Sequence, residues 1–370
     1  MDIFVGKERE IGIVLLISII ICSNILLFYI QNITADDLKK SVFEQHKNLQ
    51  LQTTSDIAQH IASDISLVKS MLYGLANSYH IQRGELNDHK TTKLLNDAYN
   101  EHNITIDSLF ILDKNDILVN TISTLPSEFY LGEDFSFRDW VKQTRTNLQP
   151  VLSDGDFERQ QMLRKFISFP ILNQDTRQYL GMIVTSIPTV SFFAHYGNVQ
   201  DISSKFLVVY DKNGLILANG ASQALVGQNF FDNYTQDFIN HNKILNDTTT
   251  SLLKGKSGFA IYDYGLGERL TTQYPAYVNN QPIFFIQVVT PTEEIYSRIN
   301  SALSEQRTEI VSLSIIASII AITILVILLR RWNVILRREV KRRTQELEDS
   351  YNEIKSYLRE LQKDHYRDNK

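Results

Sequence analysis

Only one cysteine occurs in the 370 residues, Cys22, and it falls inside a hydrophobic run. The rest of the chain therefore has no disulfide framework and must be stabilised by a core. The eight histidines contain no H-E-x-x-H and no close pair spaced for zinc. No nucleophile elbow and no kinase signature set occurs. Gly255-Lys256-Ser257 resembles the end of a phosphate loop, but the first glycine of that pattern would be position 250, which is Thr250. A turn before a strand at Gly258 is the expected reading. Asp154-Gly155-Asp156-Phe157-Glu158 begins like a calcium loop, yet its sixth position is Arg159 where glycine is required. Net positive charge is also lacking. The balance is -5, with a pI near 5.9, which leaves no basic footprint for general nucleic-acid binding. These absences point away from catalysis, and they imply no cofactor and no metal.

What the chain does have is two long apolar runs, Ile11–Ile30 and Ile310–Leu329, each free of charge. About 20 such residues suffice to cross ~30 Å of hydrocarbon as a helix. A buried globular helix is the alternative for either run, and a cleaved signal peptide for the first, although no small-x-small cleavage site follows it. Arg330, Arg331, Arg337, Arg338, Lys341, Arg342 and Arg343 follow the second run, and Lys7 and Arg9 precede the first. Basic flanks stay cytoplasmic, so both termini are expected inside and residues 31–309 outside. Sequons at Asn32, Asn103, Asn233 and Asn246 are compatible with that exposure.

Between the runs the order of elements is legible. Leu38, Val42, Leu49, Ile57, Ile61, Ile65, Val68, Leu72, Leu75 and Tyr79 recur at helical spacing. They predict a stalk helix over 35–79, ~65 Å long, with a break admissible at Thr53-Thr54-Ser55. Ser108–Leu112, the turn string Asp113-Lys114-Asn115-Asp116 and Ile117–Asn120 read as a hairpin. The pattern returns as Phe206–Tyr210, Asp211-Lys212-Asn213-Gly214 and Leu215–Asn219, where Asn-Gly suits a tight turn. A repeat of this kind predicts two copies of one α/β module. Further strands are expected near 166–171, 179–186, 258–264, 269–278 and 283–290, with helical stretches at 131–147 and 229–244. Past the second run, Val340, Thr344, Leu347, Tyr351, Ile354, Leu358 and Leu361 alternate steps of four and three, a heptad seam. A single solvated amphipathic helix is the alternative there.

One stretch stands out chemically. Leu131-Gly132-Glu133-Asp134-Phe135-Ser136-Phe137-Arg138-Asp139-Trp140 places a guanidinium two residues from an indole. Arginine presents a donor fork matched to a carboxylate, and tryptophan a flat apolar face with one donor. They form either half of a small-molecule pocket or a stacked pair that braces a loop. Arg159, Arg164 and Lys165 either line the same pocket or are ordinary surface charges.

The stalk, the repeated hairpin, Asp134–Trp140, Tyr179-Leu180-Gly181-Met182-Ile183-Val184 and Pro291 together resemble the double Cache family of extracytoplasmic sensors, over roughly residues 35–305. These are tandem PAS-like domains of prokaryotic chemoreceptors, sensor kinases and cyclic-dinucleotide enzymes. The resemblance implies a ligand pocket in the distal module, with Arg138 and Trp140 at a ligand carboxylate. Members that bind amino acids carry Tyr after the Trp, where this chain has Val141. They also carry an Asp at the end of the last distal strand, where this chain has Val184-Thr185-Ser186-Ile187. Asp154 or Asp156 from a facing loop would then have to supply the counter-charge for an ammonium.

The expectation that follows is an α+β protein: two tandem PAS-like antiparallel-sheet modules on a long N-terminal stalk helix, flanked by two transmembrane helices and a short C-terminal coiled coil. Its expected divisions are 1–10 (cytoplasmic), 11–30 (span), 31–106 (stalk and linker) and 107–200 (distal module). They continue as 201–292 (proximal module), 293–309 (connecting helix), 310–329 (span) and 330–370 (coil). Phe137, Arg138, Trp140, Asp154, Asp156, Arg164 and Ser186 are the expected ligand contacts. The expected partners are a small carboxylate, amino acid or amine, the lipid bilayer, a second copy of the chain and a separate cytoplasmic signalling protein, but no nucleic acid. About forty residues after the second span leave no room for a catalytic domain. The alternatives are the sensory front of a histidine kinase or cyclase, and a surface-tethered binding protein.

Overall fold

The computed structural model describes residues 2–102, 105–123, 130–157, 162–197 and 205–367. Two units pack separately, Leu38–Ile299 on one hand, and Met1–Asp37 with Asn300–Lys370 on the other.

Helix α1 runs Asp2–Ala76 without a break at Thr53–Ser55. Within the unit Leu38–Ile299 its buried stripe is Phe43, Gln50, Thr54, Ile57, Ile61, Ile65, Val68 and Leu72. The upper half matches the expected apolar face. The lower half does not, since Leu49 is 58 % exposed and Leu38 is also exposed. There two polar side chains hold the buried positions by bonding a sheet. Gln50 Nε2 donates to Val288 O at 2.9 Å, Thr290 Oγ1 donates to Gln50 Oε1 at 2.9 Å, and the Thr54 and Thr272 hydroxyls meet at 2.6 Å. Hydropathy spacing cannot register a stripe whose members are satisfied polar groups. Tyr79, expected on the stalk, is exposed and begins the separate short helix α2, Tyr79–Gln82.

Helix α3, His89–His102, occupies what reads as linker; it buries Leu95 and Tyr99 and packs Leu94 and Ala98 against the same core. The first sheet follows: β1 (Ser108–Asp113), β2 (Leu118–Ser123), then α4 (Asp139–Asn147), β3 (Val151–Leu152), β4 (Asp156–Phe157), β5 (Leu163–Leu172) and β6 (Tyr179–Pro188). The strand order is β2-β1-β6-β5-β3, with β4 also on β5, and all pairs are antiparallel. Helix α5, Thr189–Gly197, follows β6 directly and was not legible beforehand. The second sheet comprises β7 (Phe206–Tyr210), β8 (Ile216–Asn219), β9 (Gly258–Tyr262), β10 (Arg269–Val278) and β11 (Gln281–Pro291). Helices α6 (Asn233–Phe238) and α7 (Lys243–Leu253) lie between β8 and β9. Its order, β8-β7-β11-β10-β9, repeats that of the first sheet.

The repeat extends to turn chemistry. Asp113 Oδ1 accepts the N–H groups of Asn115 (2.8 Å) and Ile117 (3.0 Å). Asp211 Oδ1 accepts those of Asn213 (2.8 Å) and Leu215 (3.0 Å). The fourth turn residue is left-handed in both copies, Asp116 at φ 67° and Gly214 at φ 82°. Asn213 is not, so the turn is organised by the aspartate side chain rather than by an Asn-Gly pair.

The first sheet is covered on both faces, which is why its strands read as unbroken apolar runs. Leu109, Ile111, Ile167, Ile183 and Ile187 join the α1 core. Phe110, Leu112, Phe166, Met182 and Val184 face Phe135, Trp140 and Val141 instead. Gly181 lies in β6 at φ 144°, where an added Cβ would come within 2.1 Å of Leu112 O, so only glycine fits beside β1.

In the other unit, α1 and α8 (Thr292–Arg367) are each long and apolar enough to cross a membrane, and none of the side chains in the apolar windows is buried. Asn24 links them. Its Nδ2 donates to Ser318 Oγ at 3.2 Å, and its Oδ1 accepts from Ser314 Oγ at 2.5 Å. The seam residues Val340, Leu347, Tyr351, Ile354 and Leu358 are exposed on the single chain.

Candidate functional site

The opening of α4 is shaped by a local bond. Asp134 Oδ1 accepts the Ser136 N–H at 2.7 Å, and this bond with the Ser136 hydroxyl holds the Asp134 carboxyl below the usual carboxylate range. Arg138 follows in extended conformation as the residue that starts α4, with Asp139 favourably placed in the first turn. The helix ends at left-handed Leu148, and Pro150 cannot continue it.

Three contacts pin α4 to the first sheet. Trp140 is 3 % exposed and stacks on Phe166, with ring centroids 5.1 Å apart at 16°. The Thr144 and Ser168 hydroxyls meet at 2.5 Å. Arg145 pairs with Asp116 of the first hairpin turn, whose side chain is fully buried. Burial pushes the Asp116 carboxyl above its ordinary range, and Arg145 opposes that shift. The facing loop is fixed as firmly. Ser153 N–H donates to Phe166 O, and Phe166 N–H donates to Ser153 Oγ, both at 2.8 Å.

Between α4 and that loop lies a cleft of about 240 Å³. Phe137, Arg138, Trp140 and Gln143 line one side, Ser153 and Asp154 the other, and Lys212 closes it from the second sheet. Phe137 is 61 % exposed and lies under the Arg138 guanidinium at 5.0 Å. Trp140 Nε1 is buried with no hydrogen-bond partner among the described residues. Asp154 Oδ1 lies 3.3 Å from Lys212 Nζ. Of the seven expected contacts, the structure thus brings together Phe137, Arg138, Trp140 and Asp154.

The others lie elsewhere. Asp156 is on β4, and its side chain lies outside the described residues, as does Arg159. Arg164 is fully buried, and its Nε donates to Asp107 Oδ2 at 2.8 Å. Ser186 donates to the other Asp107 oxygen and meets the Ser108 hydroxyl at 2.6 Å. Ser186 sits opposite Phe166 in the ladder, two residues along β5 from Arg164. This cluster therefore shares the sheet face of Phe166 but does not line the Arg138 cleft. Lys165 is neither pocket wall nor surface charge. It is buried, Nζ 3.0 Å from Ser153 O and 3.3 Å from Asp211 Oδ2. Burial lowers its pKa, and Asp211 and Asp154 oppose that shift. Lys212, Ser153, Gln143 and Asp107 were missed.

No protein-family model matches the chain, and no curated protein matches its sequence. Solved structures do match its fold. An extracellular ligand binding receptor from Desulfohalobium retbaense aligns at TM-score 0.52 and 14 % identity, over 64 % of this chain and 39 % of that one. The ligand binding domain of the Pseudomonas aeruginosa amino acid chemoreceptor PctB, in complex with L-Arg, aligns at 0.52 and 14 % over 70 % and 93 %. That of the Pseudomonas fluorescens chemoreceptor CtaA, with L-isoleucine, aligns at 0.50 and 13 % over 70 % and 98 %. The fold is the double Cache fold. The Arg138 cleft lies at the edge of the first sheet, against the β7–β8 hairpin of the second.

Proposed function

We propose that this chain is a transmembrane receptor whose distal Cache cleft senses an extracytoplasmic small molecule and reports to the cytoplasm. The reading rests above all on one observation. Arg138 and Trp140 of α4 meet Asp154 of the facing loop in one cleft, and the buried Trp140 indole N–H has no hydrogen-bond partner among the described residues. A donor fork, an aromatic wall and a carboxylate are the elements that orient a small polar ligand, and at about 240 Å³ the cleft is smaller than the ~300–1,000 Å³ pockets that hold drug-sized ligands. The ligand class is a carboxylate, an amino acid or an amine.

Signalling follows from continuity. α8 begins directly after β11 and is helical from Thr292 to Arg367. In this reading both spans cross the bilayer, both termini are cytoplasmic, two copies pair along the 340–361 seam, and a separate cytoplasmic protein reads the coil. A ligand shifts such an equilibrium only by its difference in affinity between the two states, and a tenfold difference is worth about 1.4 kcal/mol.

The test is a thermal-shift screen of the full chain in detergent against amino acids, amines, carboxylates and purines, repeated on Arg138→Ala. The expected result is at least one stabilising compound whose effect disappears in the variant. A tight hit that Arg138→Ala leaves unchanged would move the site elsewhere.

A further inference from the structure

Directly past its apolar run, α8 carries a basic stretch, Arg330–Arg343, whose cations divide by their surroundings. Arg342 pairs with Glu339 at 2.8 Å and lies 3.7 Å from Glu346, and Arg343 lies 3.6 Å from Glu339. Arg330, Arg331, Arg337 and Arg338 are exposed and make no ion pair among the described residues. These four are also set in register. Arg337 follows Arg330 by two turns, and Arg338 follows Arg331 likewise, so they form two neighbouring stripes on one face. The seam through Val340 and Leu347 lies roughly 120° round the helix from the middle of that face. Pairing of two copies along the seam therefore leaves the four arginines outward.

Height along the helix decides which cations reach a lipid headgroup. From Arg330 at the end of the apolar run, Arg337 and Arg338 are ~10–12 Å further on at 1.5 Å per residue. Helical side chains lean toward the N-terminus, which for this part of α8 is the bilayer side. Their guanidinium groups then come within the ~8 Å screening length of the surface at physiological salt. Lys341, Arg342 and Arg343 start ~16–20 Å out, beyond that range. Trp332, 65 % exposed, marks the same depth on another face, and an indole settles at headgroup level.

We propose that Arg330, Arg331, Arg337 and Arg338 form a binding face for the phosphates of anionic phospholipid headgroups. The proposal rests on α8 crossing the bilayer and is independent of the Arg138 cleft. A guanidinium fork bonds two phosphate oxygens at once. An anionic leaflet favours each basic residue near its surface roughly fivefold. A zwitterionic headgroup carries its own cation beside the phosphate and gains less. Because the seam faces elsewhere, bound headgroups fix the depth at which the coil begins without competing with its pairing.

The experiment reconstitutes the full chain in phosphatidylcholine vesicles and adds spin-labelled phosphatidylglycerol or spin-labelled phosphatidylcholine. Electron paramagnetic resonance then reads the motionally restricted lipid around the helices. Phosphatidylglycerol is expected to be favoured at least about twofold, since a fivefold preference at one face is averaged over the whole lipid ring. At 1 M NaCl, where the screening length is ~3 Å, the preference should fall toward parity. Changing Arg330, Arg331, Arg337 and Arg338 together to Gln should bring it to parity at low salt, with the total restricted lipid unchanged. Changing Lys341, Arg342 and Arg343 to Gln should leave the preference intact. Restricted lipid with no preference in the wild type overturns the proposal and leaves the spanning helix standing. A preference that survives the four-arginine variant, or that the Lys341–Arg343 variant abolishes, overturns the assignment to this face. No restricted lipid of either kind overturns both the proposal and the spanning helix.

Discussion

Replacing Lys165 by methionine removes the buried cation that joins the two Cache modules. The side chains of Lys165 and Asp211 are 3 % and 2 % exposed, and their charged atoms are 3.3 Å apart. The substitution leaves the Asp211 carboxylate buried without that cation, which typically costs ~3–5 kcal/mol. Two backbone N–H groups still bond Asp211 Oδ1, so the cost should fall near the lower end, about 3 kcal/mol. For a domain of this size that lowers the unfolding temperature by roughly 6–12 °C. Lys165→Met/Asp211→Asn removes both charges while keeping an oxygen for the turn, and should recover more than half of the loss. Circular dichroism melts of the wild type, both single variants and the double variant close the cycle, with an expected coupling of about 2 kcal/mol. A double variant no more stable than Lys165→Met would refute the view that an uncompensated charge is what destabilises. A single variant that melts within a degree of wild type would show that the joint is not held by this pair.

Arg145→Met should destabilise more at pH 7.5 than at pH 4. Burial already raises the Asp116 carboxyl, and removing Arg145 raises it further. A carboxyl whose folded pKa lies above its unfolded value weakens the fold as pH rises through that window, so the added loss grows from pH 4 upward. Urea melts at both pH values measure it, and a pH-independent loss would count against the assignment. Gly181→Ala forces a Cβ to within 2.1 Å of a backbone oxygen at positive φ, where no flexible side chain can yield. A loss above about 2 kcal/mol or failure to fold is expected, and a melting point equal to wild type would be inconsistent with the close approach. Asn24→Leu removes both bonds to Ser314 and Ser318. It should weaken pairing of the two apolar helices by about 1 kcal/mol, read as reduced crosslinking of cysteines introduced beside them, and unchanged crosslinking would argue against that contact.

Much of the fold was legible because hydropathy period and turn chemistry agree with it. The hairpin strings at 113–116 and 211–214 carried the internal repeat, and both sheets have the same strand order. The failures have a common cause. Gln50 and Thr54 occupy buried positions through bonds to a sheet that sequence spacing does not reveal. Leu49 looked like core and is exposed. Helix α3 has a short apolar face, Leu94, Leu95, Ala98 and Tyr99, set among polar residues, which was read as linker.

The cleft divides in the same way. Arg138 and Trp140 were legible because they are near neighbours of unlike chemistry. Asp154 was reachable as a facing loop. Arg164 looked like an available cation but is committed to Asp107, and that partner follows from strand order, not from spacing. Lys212 belongs to the second copy of the module, so no local pattern could assign it to a cleft in the first.

Occupancy of the Arg138–Trp140–Asp154 cleft by a small molecule can be seen directly. The most direct measurement is a structure of the full chain with the tightest-binding compound from the screen. Ligand density is expected in the cleft, with a carboxylate at Arg138 and the molecule against Trp140. Density confined to another site, with the cleft unchanged, would contradict it.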